Sequence, residues 1–382
     1  VSANRASTLY LLFLIFDLLV LPKFLVSTPL SFFLAPFFFL LIPTVRYSHL
    51  VVYVAFVFVL LASVLFGSIH YPDNFSENIK RAIQLALVFL LFLYSYDKVD
   101  LYYLLLWLRK ILIFYYALVL LFLVIFFFSI DSYSYFMKSF FPETLPMLSV
   151  NIEHQRFSFH FTDPNAMGYL ISIILAFQLA LRLPVREHVI YIAVALIIIL
   201  ATQSRGALLS YGLVTISYFM LILNWRSKLY LLFMLFLVCF FVLFLFDSYV
   251  DLYINAMQVR TDAEASIGSG LGGGRIDSWY YFFNNINYNP IWGQGYALER
   301  DGALYRPHSD FIRLNLSYGI LVYFLIAIIL REACARHIML LFSFLVPFFI
   351  NTIIDDYRLL GVFLVFYFFI SLVNKRRQLS EV

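Results

Sequence analysis

Arg205 stands in Ala201-Thr-Gln-Ser-Arg-Gly-Ala207, between two apolar runs with almost no loop separating them. An arginine at such a depth costs upward of about 2.5 kcal/mol unless it is paired or hydrated. It either snorkels to the interface or belongs to an anion site, and taken alone the two readings weigh evenly. Arg156 lies in His154-Gln-Arg-Phe-Ser-Phe-His-Phe-Thr-Asp-Pro-Asn165. There Asp163-Pro164 reads as an N-cap followed by proline at the first helical position. That places Arg156 just outside the membrane, ahead of where a helix begins. Further along come Arg260, Arg275, Arg300, Arg306 and Arg313. Most of these read as solvated or structural. Arg275 follows the flexible stretch Gly268-Ser-Gly-Leu-Gly-Gly-Gly274, a hinge candidate. Arg313 is carried toward the membrane by the helix after His308. These two are the expected contacts.

Guanidinium forks match phosphate oxygens. In glycosyl transfer from a polyprenyl diphosphate sugar, negative charge grows on the departing diphosphate, and fixed cations stabilise it without a metal. No clustered Asp-x-Asp motif offers a divalent-ion site on the same face. The adjacent acidic pair there, Asp355-Asp356, has Arg358 beside it, which suggests local pairing. His308, in Pro307-His308-Ser309-Asp310, is the candidate for proton chemistry, because imidazole titrates near neutrality and accepts a hydroxyl proton. The competing role is a hydrogen bond to loop backbone. Asp310 could orient His308, although a residue two positions away can point elsewhere.

The elements that would position these side chains are membrane helices. The chain has 382 residues, 63% hydrophobic and 13% charged, with a mean hydropathy of +0.91. Soluble domains run at about 45–50% apolar and about 25% charged, so the surplus cannot be hidden in a water-surrounded core. The 45 Phe and 28 Tyr suit lipid-facing surfaces and interfacial belts. Apolar spans fall at 8–22, 28–44, 49–68, 82–96, 111–129, 166–182, 188–202, 206–223, 228–247, 318–331, 338–353 and 359–374, giving about 12 transmembrane helices. The first two are short and read as tilted, re-entrant or one broken helix. Continuous rather than alternating runs argue against a β-barrel.

The expected fold is therefore an all-α integral membrane protein, a single polytopic domain over 1–382. Its water-facing segments are expected at 130–165 and, much longer, at 248–317, between the ninth and tenth helices. Basic residues set the orientation. Arg46, Arg109-Lys110, Arg182 with Arg186, Arg226 with Lys228, Arg331 with Arg336, and Lys375-Arg376-Arg377 fall on one side, expected to be cytoplasmic together with both termini. Lys23 and Lys80-Arg81 fall on the other side and fit the rule poorly. The first apolar run reads as a helix that stays rather than a cleaved signal. The net charge of +4 is too weak to imply nucleic acid. Cys239 and Cys334 have neither disulfide nor metal spacing.

The order of motifs resembles a known family. An Arg-x-x-x-x-Phe-x-x-Pro-Asn segment (Arg156 to Asn165) is followed by Ser204-Arg205-Gly206 between two helices. Then come Pro290-Ile-Trp-Gly-Gln-Gly295 and His308-Ser-Asp-Phe-Ile-Arg313, followed by Tyr318-Gly-Ile320. Over residues 150–325 this resembles the O-antigen polymerase and O-antigen ligase superfamily of bacterial envelope glycosyltransferases.

The resemblance implies a GT-C-like fold in the inner membrane, with a periplasmic site. The donor would be an oligosaccharide on undecaprenyl diphosphate, used without cofactor or metal. Arg156, Arg205, Arg275 and Arg313 would then bind diphosphate and His308 would activate the acceptor hydroxyl, with Asp310 and Asn165 supporting. Membrane lipid and a chain-length regulator protein are the implied partners. Two positions depart from the pattern: His160 stands where glycine is common, and Ser309 where asparagine is common. The His-Ser-Asp form and the aromatic-rich chain favour a polymerase, which extends a lipid-linked repeat unit, over a ligase, which transfers to the lipid A core. A flippase for lipid-linked oligosaccharide is the rival from another class. Against it stand the missing repeat symmetry and the polar residues gathered on one face.

Overall fold

A backbone in hydrocarbon must satisfy its own hydrogen bonds, and uninterrupted apolar sequence does so as helix. The computed structural model follows this rule. It describes residues 3–21, 29–41, 47–93, 99–181, 183–230, 232, 233, 236, 279–281, 284, 289–296, 299, 300, 303, 304, 309–334, 337–354 and 356–380. Lys23, Arg46, Arg182, Cys239, Arg336, Asp355 and most of the expected ninth span lie outside the described residues.

The helices are α1 (Ala3–Leu19), α2 (Leu30–Leu41), α3 (Tyr47–His70), α4 (Phe75–Phe89), α5 (Leu101–Phe128), α6 (Ile130–Phe140), α7 (Leu145–Glu153), α8 (Pro164–Ala180), α9 (Val185–Thr202), α10 (Arg205–Leu221), α11 (Asp310–Tyr318), α12 (Leu321–Cys334), α13 (Ile338–Ile350) and α14 (Tyr357–Ser380). Among the described residues, three helices are long and apolar enough to cross a membrane: His49–His70 within α3, all of α5, and α9. Pro164–Ala180, Ile338–Ile350 and Tyr357–Ile370 are shorter apolar helices. The described residues also hold one antiparallel pair, β1 (Glu299–Arg300) and β2 (Ala303–Leu304).

The chain divides into two compact units: Val1–Ala117 with Tyr281–His337 and Pro347–Val382, and Leu118–Tyr280 with Ile338–Val346. In the first unit α3 packs against α4 and α12, and α1 against α2 and α14. The first two expected spans are two helices, tied to each other by polar contacts. Buried Asp17 of α1 accepts from the Ser31 N–H at 2.7 Å, and the Tyr10 hydroxyl donates to the Ser31 carbonyl at 3.0 Å. Arg358, expected to pair locally, does so through its backbone. Its N–H donates to the Asp356 carboxylate at 3.0 Å, while its buried guanidinium reaches back to the Leu21 carbonyl.

In the second unit α8 packs against α9 and α10. It is buried over nearly its whole length, as befits a helix apolar on all sides. The 130–165 segment, expected as a loop, contains α6, a 3₁₀ turn (Pro142–Thr144) and α7. The Ser129 side chain caps α6 by accepting from the Ser132 N–H. Tyr133, Met137 and Phe141, four residues apart, are buried. Ring contacts from Tyr133 to Phe126 (5.0 Å) and from Phe141 to Phe122 (6.5 Å) fasten this segment to the end of α5. An amphipathic helix of this length is too polar to register as a span.

Candidate functional site

Two of the expected arginines share one corner of the second unit. Asp163 caps α8, its carboxylate accepting from the backbone and side-chain amides of Asn165, both at 2.9 Å. Asn165 is thereby oriented, and its carbonyl oxygen accepts from Arg156 Nη2 at 3.1 Å. Arg156 Nε donates to the Thr202 carbonyl at 3.2 Å, which satisfies an end-of-helix acceptor of α9. The backbone is tied as well: Phe157 N–H donates to Ala201 O at 2.9 Å, and the Gln203 side chain donates to Gln155 O at 3.2 Å. Arg156 is half-buried. It has a structural post, joining the start of α8 to the end of α9.

The turn after α9 is made by Gln203 in the left-handed region, at φ 52°. Ser204 then caps α10, its hydroxyl accepting from the Ala207 N–H at 3.2 Å. Arg205 is the first residue of α10 and is exposed. The starts of α8 and α10 lie against each other, because a Cβ at Gly168 would meet the Ala207 Cβ at 2.6 Å. Two helix N-termini at one corner favour an anion there, since their unpaired N–H groups carry partial positive charge.

Below Arg205 runs a groove of about 370 Å³, lined by Arg205, Leu208, Leu209, Gly212, Leu213 and Ile216. These positions recur every three or four residues, so they form one stripe along α10. The stripe is about 16 Å long at 1.5 Å per residue. One cation thus stands at the head of an open apolar stripe along α10.

Asp310 and Arg313 belong to the first unit. Ser309 caps α11, accepting from the Ile312 N–H at 3.5 Å. The Asp310 carboxylate is buried and accepts from the N–H groups of Ile353 and Ile354, the latter at 2.7 Å. That fixes the start of α11 against the segment before α14. The orientation of His308 by Asp310, expected from the sequence, depends on a residue outside the described ones. Arg313 is 3% exposed, with its guanidinium carbon 4.0 Å from the centroid of the Tyr296 ring. Asp310, Arg313, Tyr296 and Tyr357 are among the residues lining a cavity of about 10 Å³, room for roughly one water.

The Pro290-Ile-Trp-Gly-Gln-Gly295 motif is a backbone clasp. Asn289 accepts from the N–H groups of Ile291 (2.8 Å) and Trp292 (3.2 Å) through its side chain. The N–H groups of Gln294 and Gly295 donate to the carbonyls of Leu316 and Ser317, at 3.0 and 2.8 Å. These are end-of-helix acceptors of α11 that would otherwise be orphaned. Trp292 lies beside Phe58 and Phe66 of α3, each centroid 6.2 Å away. Gly293 is required twice over: its φ is +72°, and a Cβ would sit 2.4 Å from Ser317 backbone. Opposite, a Cβ on Gly67 of α3 would lie 2.0 Å from the Gln294 carbonyl. A Cβ on Gly295, at φ +89°, would lie 2.6 Å from the Asn78 side chain. Reading the sequence missed Gly67 and Asn78 as parts of this clasp, because their partners are more than two hundred residues away.

Of the remaining expected residues, His308, Arg275, Arg260, Arg306 and the Gly268–Gly274 hinge lie outside the described residues. Among the described residues there is no cluster of three or more His, Cys, Asp or Glu that could hold a metal ion.

Residues 190–327 match the family model described as O-antigen ligase. The match supports the O-antigen ligase and polymerase superfamily that the motif order resembles. It includes Arg205, Asp310 and Arg313 and leaves Arg156 and Asn165 outside. No curated protein and no solved structure matches the chain.

Proposed function

We propose, from the premise that residues 190–327 carry the domain of the O-antigen ligase and polymerase superfamily, that this chain is a polysaccharide polymerase. It would transfer a growing glycan from undecaprenyl diphosphate to a lipid-linked acceptor repeat unit at the periplasmic face of the bacterial inner membrane, with both termini cytoplasmic. The observation that carries the reading is Arg205, exposed at the start of α10 and heading the apolar groove of that helix. A polyprenyl diphosphate has the complementary form, an anionic head on a slender apolar chain.

In this reading the acceptor hydroxyl attacks the anomeric carbon of the donor glycan as the bond to diphosphate breaks, and His308 takes the hydroxyl proton. An inverting displacement is the simplest course, because no carboxylate nucleophile stands out. Arg205 meets the developing diphosphate charge, with Arg275 as a further cation; Arg313, 3% exposed against the Tyr296 ring, braces α11 instead. Arg156, oriented by Asn165 and Thr202, completes the positive corner, and Asp310 holds the α11 start that directly follows His308. Such fixed charges cost no reorganisation when the leaving group departs. A chain-length regulator would be the protein partner. A ligase acting on lipid A core is the second reading, favoured by the description of the matching family.

The groove gives a direct test. A Cβ at Gly212 would have nothing within 4 Å, so Gly212→Leu fills the stripe without a clash. Leucine also relieves a helix-interior glycine cost of about 1 kcal/mol. Initial-rate measurements should show KM for the lipid donor raised about tenfold, the loss of burying roughly two methylenes. Thermal stability should stay level or rise. An unchanged KM would remove the groove from substrate binding.

A further inference from the structure

Arg81 breaks the charge bias of the membrane topology, and the geometry around it gives a reason. From α4 its Nε donates to Glu77 at 2.8 Å and its Nη1 to the Gln84 side chain at 3.3 Å. Tyr357, the first residue of α14, is a further electrostatic partner of the Arg81 guanidinium. Its guanidinium carbon lies 5.0 Å from the Tyr296 centroid, the ring against which Arg313 rests at 4.0 Å. Two cations thus share one tyrosine immediately after the glycine clasp. An aromatic face attracts each cation through its quadrupole, and Glu77 carries compensating charge. Burial alone would raise the Glu77 carboxyl, but the bonds and charges of Arg81 and Lys80 hold it below its ordinary value. Arg81 itself is only 12% exposed.

We propose that Arg81 is a positioning residue for the transfer reaction, holding Tyr296 in place so that Arg313 and the start of α11 keep their geometry. The inference rests on the reading of the chain as a glycosyltransferase whose base, His308, sits directly ahead of the start of α11 that Arg313 and Asp310 hold in place. Three separate elements meet through Arg81: α4, the end of the glycine clasp and α14. Arg313 comes to the same ring from a fourth, α11. Tyr296 and Tyr357, both touched by Arg81, line the same small cavity as Arg313 and Asp310. Loss of Arg81 removes one of the two cations that flank Tyr296, and with it part of what sets the ring against which Arg313 rests. A misplacement of about 1 Å at a reacting group is enough to cost about 10²-fold in rate.

The test uses the full-length purified protein in lipid vesicles, with undecaprenyl-diphosphate-linked repeat units as donor and acceptor. Arg81→Ala is expected to lower kcat about 10²-fold with KM for the lipid donor within about threefold, a loss confined to the transition state. Arg81→Lys, which keeps a cation over the ring, should recover to within about tenfold of wild type. Tyr296→Phe keeps the ring face and should stay within about threefold, whereas Tyr296→Leu should match Arg81→Ala. Rates are taken per folded molecule, from thermal unfolding of each variant. The tyrosine pair decides the matter if Arg81→Ala does not fold. Full kcat in Arg81→Ala, or equal losses in Tyr296→Phe and Tyr296→Leu, would overturn the positioning role while the glycosyltransferase reading stands. Absence of transfer by the wild-type protein would instead remove that reading, and the positioning role with it.

Discussion

Arg205→Ala is expected to slow glycan transfer about 10²–10³-fold, the usual loss when one preorganised charge-stabilising group is removed. Folding should hardly change. Arg205 is exposed at the first turn of α10, alanine is the best helix former, and substitutions at such positions are usually within about 0.5 kcal/mol. The N-cap is supplied by Ser204, so truncating its neighbour leaves helix initiation intact. Arg205→Lys keeps the charge but loses the planar fork and should fall between the two. Cells carrying Arg205→Ala should make short glycans while the protein is present at wild-type abundance. Wild-type chain length would separate Arg205 from the chemistry.

His308→Ala is expected to cost about 10²–10⁴-fold, the range for a positioned general base. His308 directly precedes Ser309, whose hydroxyl caps α11, and Asp310, whose carboxylate holds the N–H groups of Ile353 and Ile354. The chain on its C-terminal side is thus anchored, which is what a base needs in order to meet a hydroxyl in one orientation. Loss of the imidazole should lower kcat and leave donor KM nearly unchanged, because the base acts on the acceptor proton and not on the diphosphate. A His308→Ala protein with wild-type kcat would assign the proton to another group. An Arg205→Ala, His308→Ala double variant should lose less than the product of the single losses, since both groups act on one transition state.

Hydropathy located runs that are helical among the described residues, three of them long and apolar enough to cross a membrane, because an apolar run in hydrocarbon has to satisfy its own backbone. It failed where helix is amphipathic rather than apolar. α6 reads as loop because Tyr133, Met137 and Phe141 carry their burial at helical spacing inside a polar segment. Arg156 and Asn165 were legible as a motif, and their bond at 3.1 Å brings them together. Arg81 was not, because a cation that fits the charge rule poorly looks like an exception until Tyr296, over two hundred residues later, is found beneath it. Glycines tell the same story. Sequence drew attention to the dense run at 268–274, which lies outside the described residues, and to the motif that holds Gly293; among the described residues the glycines with a demonstrable reason are scattered ones. Gly293 is forced by a positive φ and by contact with the end of α11, and Gly67 by the approach of Gln294. Long-range backbone contact leaves no local composition signal.

The most direct test is reconstitution. Purified protein in vesicles would be supplied with undecaprenyl-diphosphate-linked repeat units alone, and the products resolved by length. A ladder of lipid-linked chains longer than the input, absent with Arg205→Ala, is the predicted result. Transfer only after lipid A core is added would identify a ligase. Movement of intact repeat units across the bilayer without any new glycosidic bond would contradict the enzyme altogether.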